Sequence, residues 1–165
     1  FINTTERDMQ SSLLNGRYVN KNIDAMFIKI ADYIEKVYDI YESYNYEESS
    51  IQSQKKMMCF IYGIYNFINK LSDDSKKKLA EIMRKNSQIH LVSFIIVDNP
   101  DVIKNYAFEE WFKKYSDTAR GIWIGSGIAE QTLFKVSKIE REDRLEISNQ
   151  YGYVINNAKI TQSFL

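Results

Sequence analysis

The fold is decided by residues 56–71, which read KMMCFIYGIYNFINKL. The first half, residues 57–62, is an apolar run of strand length, and Gly63 allows the chain to turn out of a sheet. Apolar residues then recur at the three-to-four spacing of one helix face as far as Leu71. The stretch therefore predicts a buried strand that leads into a helix, which is the basic unit of an α/β sheet.

The flanking segments extend this pattern in both directions. A second apolar run, residues 89–97, predicts another buried strand of a parallel sheet, and residues 98–100, Asp-Asn-Pro, predict its end. Between the two strands, Ser72 is expected to cap a helix. Upstream, apolar residues at helical spacing over residues 23–44 predict the longest helix of the chain.

The two ends of the chain are predicted to hold shorter elements. A short helix is expected to end near Asn15 at the start of the chain. Residues 101–116 have an aromatic helical face, residues 121–125 (GIWIG) predict a third strand, and a helical turn is expected to end near Phe134. Residues 151–161 predict a terminal hairpin that turns at Asn156-Asn157.

Composition limits the class of protein. The chain has 165 residues, of which 44% are hydrophobic, and this length suggests a single domain over residues 1–165. The chain has 22 basic residues (Lys and Arg) and 22 acidic residues (Asp and Glu), so its net charge is zero. It therefore lacks the positive charge that would indicate a nucleic-acid or anionic-membrane partner. The single cysteine, Cys59, lies in the apolar strand and reads as a buried, inert thiol. No apolar run approaches the ~20 residues of a membrane span, and a first residue of Phe1 suggests a piece of something longer.

No catalytic group emerges from residue types and spacing. The phosphate loop GxxxxGK[ST] is absent from the sequence, and a lone His90 is more typical of a structural residue than of a metal ligand. Acidic pairs such as Glu109-Glu110 fit a solvated helix face better than a general acid and base. In P-loop proteins, a strand such as residues 57–62 ends in a carboxylate that positions magnesium, whereas this one ends in Tyr62.

The order of the segments FIYGIYNF, LVSFIIVDN, GIWIG and GYVINNAKI resembles that of a known family. Together with the long upstream helix, it is similar to the last ATPase-like module of the EssC family, the FtsK/SpoIIIE-type coupling proteins of type VII secretion. The resemblance covers nearly the whole chain. Tyr62-Gly63 stand where the strand of that family is commonly closed by Asp-Gly.

This resemblance implies a P-loop NTPase-like fold of the RecA/FtsK type. The mostly parallel sheet would be flanked by helices, and its first strand and phosphate loop would lie upstream of Phe1, outside this chain. Tyr62 and Gly63 would occupy a degenerate Walker-B-like position, because a neutral phenol is a weak magnesium ligand. We therefore expect no ATPase activity and no cofactor in this chain alone, while ATP and magnesium would belong to the parent protein.

The resemblance also implies a function in substrate recognition. The module would bind export signals of WXG-type secreted proteins, next to other modules of a parent ATPase that forms a homo-hexamer. The parent would be anchored in the bacterial membrane with this domain in the cytoplasm, in direct contact with neither membrane nor nucleic acid. A docked peptide helix needs exposed aromatic anchors, for which the candidates are Trp111, Phe112, Trp123 and Ile124. Full burial of both tryptophans would contradict this placement.

Two other interpretations remain open at this point. The chain is alternatively a nucleotide-binding or weakly hydrolysing P-loop domain that acts only with its upstream segment and a neighbouring subunit. An arginine finger, from among Arg120, Arg141 and Arg144, would support that interpretation. The third is an unrelated α/β binding domain, which a sheet that is not parallel at the strands around Phe60, Phe94 and Trp123 would indicate.

Overall fold

The computed structural model describes residues 2–3 and 21–164. The chain divides into two compact units, Phe1–Tyr115 and Ser116–Leu165, and each is described by itself. The single domain over residues 1–165, as part of a larger protein, remains a prediction. The short helix predicted to end near Asn15 lies outside the described residues.

The first unit alternates strands and helices. Its elements are β1 (Ile2–Asn3), α1 (Ile23–Ser43), β2 (Met57–Tyr62), α2 (Ile64–Lys70), α3 (Asp73–Ile89), β3 (Val92–Val97), α4 (Pro100–Lys104) and α5 (Glu110–Tyr115), with a short 3-10 turn at Glu48–Ile51. The predicted strand, glycine turn and helix of residues 57–71 are confirmed, because Gly63 takes a φ of 85° between β2 and α2. The long helix over residues 23–44 is confirmed as α1.

The sheet of the first unit is parallel throughout its described part, in the order β1-β2-β3. β2 and β3 pair over their full lengths, from Met57 opposite Val92 to Tyr62 opposite Val97. The prediction of an α/β fold with a parallel sheet is therefore confirmed for this unit. β1 was not foreseen, because two residues are too few to give a periodic pattern.

Helices cover one face of this sheet. Cys59 and Ile61 of β2 are buried in a core that includes Ile34 of α1 and Ile82 of α3, both fully inaccessible. Burying side chains of this size contributes about 1.5–3 kcal/mol each. The opposite face, which carries Met58, is more accessible. Cys59 is a buried free thiol, as its position in the apolar strand predicted.

The predicted start of the second strand is wrong. Residues 89–97 were expected to form it, but α3 continues to Ile89 and β3 begins at Val92. His90 ends the helix in a left-handed conformation, with φ of 47°, and its N–H donates to the Asn86 carbonyl at 2.8 Å. The buried side-chain amide of Asn86 makes two hydrogen bonds with the backbone of Val92. It accepts from the Val92 N–H at 2.9 Å and donates to the Val92 carbonyl at 2.7 Å. This side chain fixes where the strand begins.

The second unit is built on an antiparallel sheet of β4 (Gly121–Ile124), β5 (Tyr151–Asn156) and β6 (Lys159–Phe164), in that order. The prediction that β4 joins a mostly parallel sheet is therefore corrected. β4 alternates half-buried and exposed residues, which suits an antiparallel sheet with one solvated face. The hairpin of β5 and β6 is confirmed, and it turns at Asn157-Ala158, where both residues have positive φ.

The helical turn predicted to end near Phe134 does not form. Gly127 takes a φ of 89°, and the chain continues through turns. The side-chain amide of Gln131 accepts from the Phe134 N–H at 2.7 Å and donates to the Phe134 carbonyl at 3.1 Å, so these backbone groups are satisfied without a helix. Phe134 then covers Gly121, where any Cβ atom would collide with its ring.

We expect Asn86→Ala to lower the free energy of unfolding by about 2–3 kcal/mol, because both polar groups of Val92 lose their partner in a buried position. Urea denaturation followed by circular dichroism measures this change. Ser87→Ala is the matched control, since Ser87 lies next on the same helix and is exposed. Equal midpoints for the two variants would contradict the role given to Asn86.

Asp24 makes the stability of the first unit depend on pH. The hydroxyl of Ser75, and then the N–H and hydroxyl of Ser72, hold the pKa of the Asp24 carboxyl below its ordinary value of 3.8. A lowered pKa in the folded chain means that this stabilisation is complete above the ordinary pKa and is lost as the pH falls through the lowered one. We expect Asp24→Asn to lose less stability than the parent chain on acidification. Urea midpoints at about pH 6 and pH 3 test this, and parallel pH profiles would refute it.

Candidate functional site

The carboxyl ends of the parallel strands are the first place to look for a site. In open α/β sheets, ligands bind in the crevice at this edge. β2 ends there at Tyr62 and β3 at Val97, which are directly opposite each other. Gly63 links the two strand ends, because its N–H donates to the Val97 carbonyl at 3.0 Å.

Asp98 is the carboxylate that lies at this edge, one strand away from the position where a P-loop protein would carry it. One of its oxygens accepts from the N–H of Ile64 at 2.8 Å and the other from the N–H of Asn99 at 2.7 Å. The first bond ties the end of β3 to the first residue of α2. Asp98 therefore positions α2 after β2, and both of its oxygens are engaged in doing so.

Sequence reasoning did not select Asp98 as a site residue, although a carboxylate directly after a buried strand was the available signal. Its neighbours are aromatic. Burial raises the pKa of the Tyr106 hydroxyl, and the nearby Tyr65, Asp98 and Glu109 raise it further. Tyr62, the residue at the Walker-B-like position, is half-buried at the same edge. Among the described residues, this edge carries the phenols of Tyr62 and Tyr106 and the engaged carboxylate of Asp98.

Trp111 and Phe112, two of the predicted anchors, lie on α5. Trp111 is half-buried against the main core of the first unit, with ring centroids 5.6 Å from Phe112 and 6.3 Å from Tyr106. Phe112 is only 6% exposed. Phe108, just before the helix, is 91% exposed and was not selected from the sequence. The Trp111 ring is therefore held by its neighbours while part of it stays accessible.

Trp123 and Ile124, the other two predicted anchors, lie on β4 in the second unit. Trp123 is half-buried on the core side of the sheet, where its Nε1 donates to the carbonyl of Ser126 at 2.8 Å. Ile124 lies on the opposite side and is 61% exposed. The four predicted anchors are thus divided between two units, and the full burial of both tryptophans that would have contradicted them is not observed.

The arginines considered for a finger all lie in the second unit and are exposed. Arg120 pairs with Asp117 at 3.3 Å and donates to Asn157, and Arg144 approaches Glu130 at 4.0 Å. Arg141 precedes a short 3-10 turn, Glu142–Arg144. These contacts are exposed to solvent, which is an environment typical of surface arginines.

None of the described helices is both long and apolar enough to cross a membrane. His90 ends α3 through its main chain, as described above, and the structural interpretation of its side chain stays a prediction.

Comparison with known proteins places this fold. No protein-family model matches the chain, and no curated protein matches it. A solved structure described as "The cytoplasmic domain of EssC" is similar to it, with a TM-score of 0.64 and 14% identity. The likeness covers 99% of this chain and 32% of the other, so the chain spans about a third of the length of the protein it matches. This chain therefore shares the fold of part of an EssC cytoplasmic domain.

Proposed function

We propose that this chain is a recognition module of a type VII secretion coupling protein, which binds the export signals of WXG-type secreted proteins and does not hydrolyse nucleotide. The observation that carries this proposal is the fold likeness to the EssC cytoplasmic domain over 99% of the chain. The parent protein would be anchored in the bacterial membrane, would assemble as a hexamer, and would hold this module in the cytoplasm beside the modules that turn over ATP.

The first unit supports a P-loop-like origin for the fold. β3 is apolar except at Ser93, which is typical of a strand with neighbours on both sides, yet it lies at the edge of the described sheet. A strand and phosphate loop of the parent protein would lie beside it. The Asn86 amide already satisfies Val92, and the main chains of Leu91 and Val97 bond toward β2, so such a strand would bond first to Phe94.

The strand ends support a module that does not hydrolyse nucleotide. Magnesium at a phosphate site requires a free carboxylate at the end of a strand. Tyr62 offers a phenol there, and both oxygens of Asp98 already accept backbone hydrogen bonds. Each Asp98 oxygen therefore has only one lone pair left, which reduces its capacity as a metal ligand.

The aromatic residues of α5 support a docking function. A good anchor combines an accessible apolar surface with a fixed orientation, because less entropy is lost on binding. Trp111 meets both conditions, with the buried Phe112 holding its ring in an edge contact. We therefore propose Trp111 as the main anchor and Phe112 as the residue that positions it. On the second unit, Ile124 and Trp123 remain the proposed contacts.

The test measures binding of a fluorescein-labelled C-terminal peptide of a WXG-type substrate by anisotropy, with Mg-ATP titrated separately through tryptophan fluorescence. Saturable peptide binding is expected, and Trp111→Ala should weaken it at least about tenfold. Tyr44→Ala is the matched control, because Tyr44 is another exposed aromatic residue of the same unit and was not assigned to docking. A peptide of scrambled sequence controls for non-specific apolar binding.

Two outcomes would overturn the proposal. Equal losses in Trp111→Ala and Tyr44→Ala would mean that the peptide does not use the proposed anchor. A saturable response to Mg-ATP without peptide binding would favour the nucleotide-binding interpretation, and Tyr62→Asp would then be the variant that should gain hydrolysis.

A further inference from the structure

Tyr106 contacts the proposed anchor Trp111 from outside the helix that carries it. The two ring centroids are 6.3 Å apart, and the ring planes are inclined by 53°. Tyr106 belongs to the turn between α4 and α5, five residues before Trp111. Side chains five residues apart on a continuous helix do not face each other, so this contact exists because the chain turns between the two helices.

A second ring contact to Trp111 comes from Phe112, the next residue of α5. These ring centroids are 5.6 Å apart and the planes are nearly perpendicular, at 86°. Both distances lie within the range of favourable aromatic pairs. A single contact leaves an indole ring free to turn about one of its side-chain bonds, whereas two contacts at different inclinations restrict both of its torsion angles. Trp111 is therefore held from two directions.

Hydrogen bonds fix the main chain of Tyr106 on both sides. Its N–H donates to the carbonyl of Ile103 at 3.0 Å, and its carbonyl accepts from the N–H of Glu109 at 2.9 Å. Ile103 is a buried residue of α4. On the other side, the carbonyl of Glu109 accepts from the N–H of Lys113 on α5 at 2.9 Å. The turn that carries Tyr106 is thus bonded to both helices, which fixes the base of its ring.

The hydroxyl of Tyr106 lies at the far end of this ring, in the region where the strands end. Burial raises the pKa of this hydroxyl most, and Tyr65, Asp98 and Glu109 raise it further. Asp98 closes β3 and holds the first residue of α2. The contact with Trp111 is made by the ring, while the hydroxyl is surrounded by acidic and phenolic groups. The two parts of the side chain therefore have different neighbours.

We infer that Tyr106 is a second positioning residue of the docking site, which fixes the orientation of Trp111 through its ring and not through its hydroxyl. The inference rests on the proposed function, because Trp111 is the main anchor of that function. An anchor that is already oriented loses less side-chain entropy when a partner binds. Immobilising one free side chain weakens binding by about two- to tenfold, and we expect a loss of this size without the Tyr106 ring.

Nuclear magnetic resonance tests the orientation of Trp111 without any partner. The chain has two tryptophans, so an isotope-labelled chain gives two indole N–H signals, and the signal of Trp111 is the one lost in Trp111→Phe. Tyr106→Ala should lower the order parameter of the Trp111 indole N–H, because one of the two rings that restrict it is removed. Tyr106→Phe should leave this order parameter unchanged. The signal of Trp123, which lies in the second unit, is the internal control.

Binding of the labelled C-terminal peptide of a WXG-type substrate tests the consequence. Tyr106→Ala should weaken this binding by about two- to tenfold, and Tyr106→Phe should restore it. Tyr41→Ala is the matched control, because Tyr41 is also a half-buried tyrosine with two ring contacts, to Tyr38 and Tyr46 on and after α1. It should leave both the peptide affinity and the order parameter of Trp111 unchanged.

Urea denaturation of each variant verifies that the first unit remains folded. Tyr106 is half-buried, and Trp111 keeps its contact with the main core when the Tyr106 ring is removed. If Tyr106→Ala unfolds the unit, Tyr106→Leu takes its place, because leucine keeps apolar bulk without a flat ring. Tyr106→Leu should lower the order parameter of Trp111 and weaken peptide binding in the same direction.

The results separate this inference from the proposed function. Absence of peptide binding to the parent chain overturns the proposed function, and with it the docking role of Tyr106. Peptide binding to the parent chain with an equal order parameter for Trp111 in Tyr106→Ala overturns the inference alone. Equal losses in Tyr106→Phe and Tyr106→Ala would assign the effect to the hydroxyl, and a lowered order parameter without weaker binding would show that the orientation of Trp111 does not matter for docking. Each of these two results also overturns the inference.

Discussion

The parallel pairing of β2 with β3 is the constraint on which the first unit depends. The two strands are distant in sequence and are connected by helices α2 and α3. Polar side chains fix the positions where this connection meets the strands. Asn86 holds the start of β3 through Val92, and Asp98 ties its end to α2. Because these polar groups satisfy the backbone at both ends, the apolar residues of β2 can pack against α1 and α3 without leaving unpaired amides buried.

The same constraint explains what the strand ends offer chemically. In a P-loop enzyme this edge of the sheet would supply a free carboxylate, but here Asp98 is a structural residue and Tyr62 takes the position where the resemblance calls for Asp. Aromatic side chains, several of them partly exposed, are then the main feature of the edge and of α5. An accessible ring held by its neighbours suits recognition of an apolar helix better than proton or phosphate transfer. The proposed recognition function rests on this chemistry, while the likeness to the EssC structure shows the fold.

Sequence reasoning was reliable for elements that follow from a local pattern. It failed where the structure depends on a strand or side chain that is distant in sequence. The period and the glycine of residues 57–71 gave β2, Gly63 and α2 at nearly their observed bounds. The strand around Trp123 was also located, but its sheet was not, because a four-residue run does not specify a parallel or antiparallel neighbour. A sheet that is not parallel around Trp123 was taken in advance as a sign of an unrelated α/β binding domain, and β4 is antiparallel to β5. The likeness to the EssC structure over 99% of the chain shows a shared fold in spite of this.

The sequence by itself determined the elements of this protein: the long amphipathic α1, the strand and helix around Gly63, and the hairpin of β5 and β6. Each follows from spacing and turn chemistry within a few residues. Only the tertiary structure decided that Asp98 is engaged, because its partner Ile64 lies 34 residues away. The same holds for β4, where the pairing with β5 places the side chains of Ile122 and Ile124 on the solvent-exposed face of the sheet. A local sequence pattern predicts helices and strands, but it does not encode hydrogen bonds between residues that are distant in sequence. Those bonds decide which side chains are available at a site.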